Sequence, residues 1–168
     1  MPRLLYTLLW ILALPVVMLR LLWRGRAQPG YRAHVAERLG RYGPRAEGPS
    51  VWVHAVSVGE TRAAQPLIDA LIKAFPAHRI VLTHMTPTGR ETARALFGHH
   101  GDRVHSVYLP YDLPWLQRRF LRHFQPRLGV GMEAEVWPNL MAACNALDVP
   151  GALVNARLSE RSARRDLR

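Results

Sequence analysis

Two stretches of the sequence put carboxylates where a reaction could use them. The first is His54-Ala-Val-Ser57-Val-Gly59-Glu60-Thr61, after a short apolar run from Val51 to Val56. A single glycine, Gly59, is expected to make the turn there, and Glu60 then stands at the mouth of a helix. The second is Met132-Glu133-Ala134-Glu135-Val136-Trp137-Pro138-Asn139, with two carboxylates two residues apart behind another apolar run. Carboxylates at such turns are suited to moving protons or orienting a bound hydroxyl. They serve equally well as acids at a helix N-terminus, and spacing alone leaves both readings open. Neither the G-x-G-x-x-G fingerprint nor the P-loop pattern is present. His54, His84 and His105 each lie near a strand without metal-ligand spacing, so they read as hydrogen-bonded structural histidines and no metal is implied. Tyr108-Leu-Pro-Tyr-Asp-Leu-Pro114 reads first as turn chemistry.

The elements that must hold these turns follow from periodicity. Val51 to Val56, Ile80 to Met85, Val104 to Leu109, Arg127 to Met132 and Gly151 to Asn155 are short apolar runs of strand length. Between the first two, Ala63, Ala64, Leu67, Ile68, Leu71, Ile72 and Phe75 recur at helical spacing, which puts Pro66 in the first turn. Thr86-Pro-Thr-Gly89 opens a helix to about Phe97, Asp112-Leu-Pro114 one to about Phe124, and Pro138 one to about Leu147. Five strands alternating with four helices predict an α/β domain with a parallel sheet covered on both faces. Right-handed crossovers make it Rossmann-like. Ligands in such sheets bind beyond the carboxyl ends of the strands, where both carboxylate turns lie.

The domain is preceded by a different kind of segment. Leu4 to Leu19 carries no charge, with Arg3 before it and Arg20, Arg24, Arg26 and Arg32 after it. As a helix it is about 24 Å long, and extension to Trp23 brings it near the roughly 30 Å of a hydrocarbon core. Arg20-Leu-Leu-Trp-Arg-Gly-Arg is a poor cleavage site, so residues 1–26 read as an uncleaved anchor with a basic collar. The collar places the rest of the chain in the cytoplasm and suits anionic lipid headgroups. Residues 27–50 read as a juxtamembrane helix, Tyr31 to Leu39, and a linker; residues 51–168 are the domain. The balance of 23 basic to 12 acidic residues, net +11, implies an anionic partner. No nucleic-acid motif accompanies it, and the arginines partly cluster at the anchor. The single Cys144 excludes an internal disulfide and reads as a packed apolar residue.

In chain order, the sequence carries Arg24-Gly-Arg26, Glu37-Arg-Leu-Gly40, His54-Ala-Val-Ser-Val-Gly-Glu60, Thr86-Pro-Thr-Gly89, Val107-Tyr-Leu-Pro-Tyr-Asp-Leu-Pro114, Met132-Glu-Ala-Glu-Val-Trp-Pro-Asn-Leu140 and Asn155-Ala-Arg-Leu-Ser159. This ordered set resembles the bacterial 3-deoxy-D-manno-octulosonic acid (Kdo) transferases, glycosyltransferases of the two-domain GT-B fold. The resemblance implies transfer of Kdo from CMP-Kdo to a glucosamine hydroxyl of tetraacylated lipid A precursor, in lipopolysaccharide biosynthesis at the bacterial inner membrane, with no cofactor. It implies Glu60 as general base, with Glu133 or Glu135 orienting the acceptor or helping to organise Glu60. Ser57, Gly59, Arg62 and Arg90 are candidates for substrate binding. The family has Thr where this chain has Ala134. It also has a second Rossmann-like domain for the nucleotide; this chain is expected to be the N-terminal, acceptor-binding part and inactive alone. The alternatives are a GT-B enzyme with another nucleotide sugar and a non-catalytic, membrane-anchored acceptor-binding module.

Overall fold

The computed structural model describes residues 2–45, 48–132 and 137–154. It begins with one long helix, α1 (Arg3–Ala27), which takes the basic collar into its last turns and contains Pro15. The expected juxtamembrane helix is broken. A 3-10 turn at Pro29–Tyr31 is followed by a single short helix, α2 (Val35–Arg38). Two local features explain the break. The Arg32 guanidinium turns back to donate to the Leu22 carbonyl of α1, at 3.1 and 2.9 Å. His34 is in the left-handed region at φ 55°, which a continuous helix excludes.

Five strands then form one parallel sheet: β1 (Ser50–His54), β2 (Arg79–His84), β3 (Val104–Tyr108), β4 (Pro126–Met132) and β5 (Gly151–Val154). Their order is β3-β2-β1-β4-β5. The direction of winding reverses between β1 and β4, the kind of crevice where doubly wound sheets take their ligands. The stretch between β1 and β2, expected as one helix, is two: α3 (Val58–Ala63) and α4 (Gln65–Ala74), jointed at Ala64. Pro66 falls in the first turn of α4, where no helical N–H is needed. The other crossovers are α5 (Pro87–Phe97), α6 (Pro114–Phe124) and α7 (Pro138–Ala146).

Alternate strand residues face opposite layers. Val51, Val53, Ile80, Leu82 and Val130 pack against Ile68 and Leu71 of α4 and Ala93 and Phe97 of α5. Trp52, Val81, Val107 and Leu109 pack against Phe120, Leu121 and Phe124 of α6 and Leu140 and Ala143 of α7. Both faces of the inner strands β1 and β2 are therefore covered, which is why they read as nearly continuous apolar runs, while the edge strand β5 is exposed along its length. Cys144 belongs to the second layer and is buried there.

Trp52 makes a specific demand on its neighbour. Its indole N–H donates to Thr83 Oγ1 at 2.7 Å, fixing the ring, and the ring lies over Gly129. A Cβ on Gly129 would stand 2.6 Å from a Trp52 ring carbon. Gly129→Ala should therefore lower unfolding stability by about 1–3 kcal/mol in chemical denaturation. Gly59→Ala, whose Cβ would meet nothing within 4 Å, should change it by less than about 1 kcal/mol.

Candidate functional site

The turn after β1 is built by reciprocal hydrogen bonds between Ser57 and Glu60. Ser57 is the extended N-cap of α3, and its hydroxyl donates to Glu60 Oε1 at 2.7 Å. The Val56 N–H donates to Glu60 Oε2 at 2.8 Å. The return contact, from the Glu60 N–H to Ser57 Oγ, is long at 3.5 Å. This is a variant of the capping box in which the glutamate reaches one residue further back than usual. It fixes the carboxylate with one donor on each oxygen. The side chain is nearly buried, at the carboxyl end of the central strand β1. Each oxygen keeps a lone pair for a further proton donor.

Gly59 does not make the turn. It is a helical residue of α3, exposed, with open space where a side chain would go. The glycine that the geometry requires is Gly89. It lies in the first turn of α5, where a Cβ would come 3.1 Å from the Val56 carbonyl oxygen and 3.4 Å from the Ser57 carbonyl carbon. Thr86 caps α5 by accepting the Gly89 N–H at 3.1 Å, while its hydroxyl donates to the Val56 carbonyl, also at 3.1 Å. The first turn of α5 is thereby pressed onto the turn that holds Glu60. A glycine inside a well-capped helix, where a helix former belongs, is the sequence signal for this contact.

The two candidate arginines separate. Arg62 is exposed in the last turn of α3. Arg90 is engaged: its guanidinium forks onto both Glu37 oxygens, at 2.7 and 3.1 Å. Glu37 Oε2 also accepts the Tyr108 N–H at 2.8 Å. Arg38, which is buried, stacks on the Tyr108 ring 3.8 Å from its centroid and donates to the Met85 carbonyl at 3.1 Å. Short as it is, α2 clamps the ends of β2 and β3 to α5. Glu37, Arg38 and Tyr108 had no assigned role in the sequence. Their signal was a carboxylate and an arginine side by side in a segment otherwise read as juxtamembrane helix.

The segment after β3 is no solvent turn: Leu109, Tyr111, Asp112 and Leu113 are all buried. The Asp112 carboxylate accepts the Asn139 N–H at 3.0 Å and the Leu140 N–H at 2.9 Å, capping α7 from across the sheet edge. The Asn139 side-chain amide donates back to the Asp112 carbonyl at 2.7 Å. Burial raises the Asp112 pKa, and the two backbone N–H groups oppose that by stabilising the charge. Glu133 and Glu135, with Ala134 between them, lie outside the described residues. Their flanks, Met132 of β4 and Asn139 of α7, are both buried.

His54 and His84 are internal. His54 Nδ1 lies 2.8 Å from Thr83 Oγ1, and the His84 Nδ1–H donates to the Ala55 carbonyl at 2.9 Å. Burial lowers both pKa values to about 4, so both rings are neutral at physiological pH. The expectation of structural histidines holds for these two.

Comparisons with known proteins place the chain in a family. A family model described as 3-deoxy-D-manno-octulosonic-acid transferase matches residues 33–168. A protein of that name from Bordetella pertussis is 48% identical over 85% of this chain and 35% of its own length. One from Haemophilus influenzae is 41% identical over 97% of the chain and 38% of its own length. A probable mitochondrial transferase of the same name from Arabidopsis thaliana is 33% identical over 90% of the chain and 33% of its own length. The chain thus spans about a third of the length of the curated relatives it matches.

Two measurements check the roles given to these residues. Arg90→Ala takes the arginine from the largely buried Glu37 carboxylate, leaving only the half-exposed His34 ring 3.2 Å away, and should destabilise by about 3 kcal/mol in chemical denaturation, whereas Arg62→Ala should stay within about 0.5 kcal/mol. His54 binds a proton more readily in the unfolded chain than in the folded one. Stability should therefore be full above about pH 6.5 and fall as pH drops toward 4, by up to about 3 kcal/mol for this residue. Unfolding curves from pH 7 to pH 4 on the protein and its His54→Gln variant would show this slope shrinking in the variant.

Proposed function

The chain belongs to the 3-deoxy-D-manno-octulosonic-acid transferase family, and from that premise we propose that it supplies the acceptor side of a Kdo transferase. In this reading Kdo passes from CMP-Kdo to a glucosamine hydroxyl of tetraacylated lipid A precursor, in lipopolysaccharide biosynthesis. The observation that carries the reading is Glu60, fixed by Val56 N–H and Ser57 O–H beside the point where the sheet reverses. A sugar hydroxyl is a poor nucleophile until its proton is removed. As the hydroxyl oxygen bonds to the anomeric carbon of Kdo, its proton passes to Glu60. The bond from that carbon to the phosphate oxygen breaks, and CMP leaves with the electron pair. A phosphate ester is already a good leaving group, so the departing oxygen needs no protein acid.

Position contributes much of the rate in such a step. Glu60 is pre-positioned by its two donors, and the contact of Gly89 with the Val56 carbonyl sets the turn. The exposed Gly59 leaves room above the helix mouth for an approaching sugar. Glu133 or Glu135, which follow β4 in the sequence, orients the acceptor or organises Glu60. Arg62, exposed in the last turn of α3, is the candidate for an acceptor phosphate among the described residues. The nucleotide is held by the second domain that GT-B enzymes use for it. Helix α1 keeps the domain at the cytoplasmic face of the inner membrane, with Arg20, Arg24 and Arg26 exposed to anionic lipids.

The test is Kdo transfer to tetraacylated lipid A precursor by a chimera in which this chain replaces the matching third of the Bordetella pertussis relative. Glu60→Gln should lower the rate by about 10²–10⁴-fold. Ser57→Ala, which removes one of the two donors, should fall between that and the unmodified chimera. Unchanged transfer by Glu60→Gln would move the base elsewhere, to Glu133 or Glu135 first; absence of transfer by the unmodified chimera would sink the acceptor-side assignment.

A further inference from the structure

By length and composition α1 is able to cross a bilayer: 25 residues with mean hydropathy 2.1 in its most apolar window. Its surroundings argue otherwise. One side of the helix is taken. Thr7 Oγ1 lies 3.2 Å from Asn139 Oδ1, and the Trp10 ring sits 5.9 Å from that of Tyr111. Trp10, Leu14, Val17 and Met18 pack on Tyr111, Leu113 and Leu116. Further along, Leu21 and Gly25 are buried, and Arg32 lies so close to Gly25 that a side chain there would collide with it. The contact runs from Thr7 to Gly25, roughly 27 Å of helix at 1.5 Å per residue.

The opposite side is bare and apolar. Leu4, Leu8, Leu12, Val16, Leu19 and Trp23 recur at spacings of three and four and are between 51% and 82% exposed. They form one stripe along the whole helix. A bilayer-crossing α1 would drag its bound side into hydrocarbon, including Asn139, Asp112 and the Arg32 guanidinium. Charged and polar groups are strongly disfavoured there.

We propose that α1 lies in the plane of the membrane, its exposed stripe in the acyl layer, and does not cross. The proposal rests on the membrane reading given above and fixes its geometry. The occupant of the stripe is the cytoplasmic leaflet. Arg3, Arg20, Arg24 and Arg26, all exposed on the same helix, match its anionic headgroups, and an in-plane helix of this kind buries its apolar face about 5–10 Å deep. The docked side rests on residues that follow β3 and open α7, at the carboxyl edge of the sheet. That is the edge that carries Glu60, so the reacting edge comes to lie at the level of the headgroup sugars.

The test is the side on which the N-terminus emerges. In a Cys144→Ala background, Pro2→Cys is treated with a membrane-impermeant maleimide in spheroplasts. In-plane α1 keeps Pro2→Cys on the domain's side: labelling stays at background in intact spheroplasts and rises to near completion once the membrane is opened. Labelling in intact spheroplasts would overturn the proposal. Recovery of the chain in the soluble fraction would instead sink the membrane reading beneath it. In vesicles of phosphatidylethanolamine and phosphatidylglycerol, a fluorophore at Leu4→Cys, Leu12→Cys or Leu19→Cys should be quenched to the same shallow depth. A profile deepest at Leu12 would mean that α1 crosses, and a disulfide-linked dimer through Leu12→Cys would give the stripe to a second copy; either result rules out the in-plane arrangement.

Discussion

The carboxylate of Asp112 ties together the edge of the sheet on which everything else stands. It is buried, and it stays there because two backbone N–H groups at the start of α7 bind its two oxygens. An isolated carboxylate in that place would be very costly, and only the capped helix makes it tolerable. In return the carboxylate satisfies helix donors that would otherwise be orphaned in a buried position. The mouths of α6 and α7 are locked side by side, Asn139 is presented to α1, and one flank of the Glu133–Glu135 stretch is fixed.

Across the reversal point the Val56 carbonyl plays a comparable part for the other half of the edge. It receives the Thr86 hydroxyl and the Met85 N–H, and Gly89 lets the first turn of α5 come against it. Glu37 and Arg90 then fasten α5 to α2. The segment following α1 is thus built into the frame of the site, fastened to the same helix α5 whose first turn meets the turn that holds Glu60. The two halves of the edge use one device, a buried polar group from one connection closing the mouth of the next helix. The sheet beneath them adds apolar packing to its backbone ladder, with Trp52 and His54 of β1 both meeting the Thr83 hydroxyl of β2.

Much of this was legible in the sequence because the inner strands are covered on both sides. Apolar runs such as Val51 to Val56 and Ile80 to Met85 have no other economical explanation, and the turns between them announced their caps. What was missed has a physical cause in each case. The joint at Ala64 is invisible to periodicity, because its backbone stays in the right-handed helical region and the apolar stripe runs on through it. The break around His34 depends on Arg32 reaching back to α1, a contact that no local pattern encodes. Gly59 and Gly89 exchanged roles, since the need for a glycine is set by which backbone approaches it and not by its place in a motif. Arg90 looked like a free cation only because its partner, Glu37, is fifty-three positions away.

The bracing of α1 along the domain also changes what concentration means for this protein. A helix tethered by one end would let the domain swing and meet its acceptor from many directions. One packed along its length would hold the domain in a single pose against a surface. If α1 lies in plane as proposed and the acceptor is a lipid, encounter becomes a two-dimensional search, and saturation follows the acceptor's mole fraction in the leaflet rather than its amount per volume of solution.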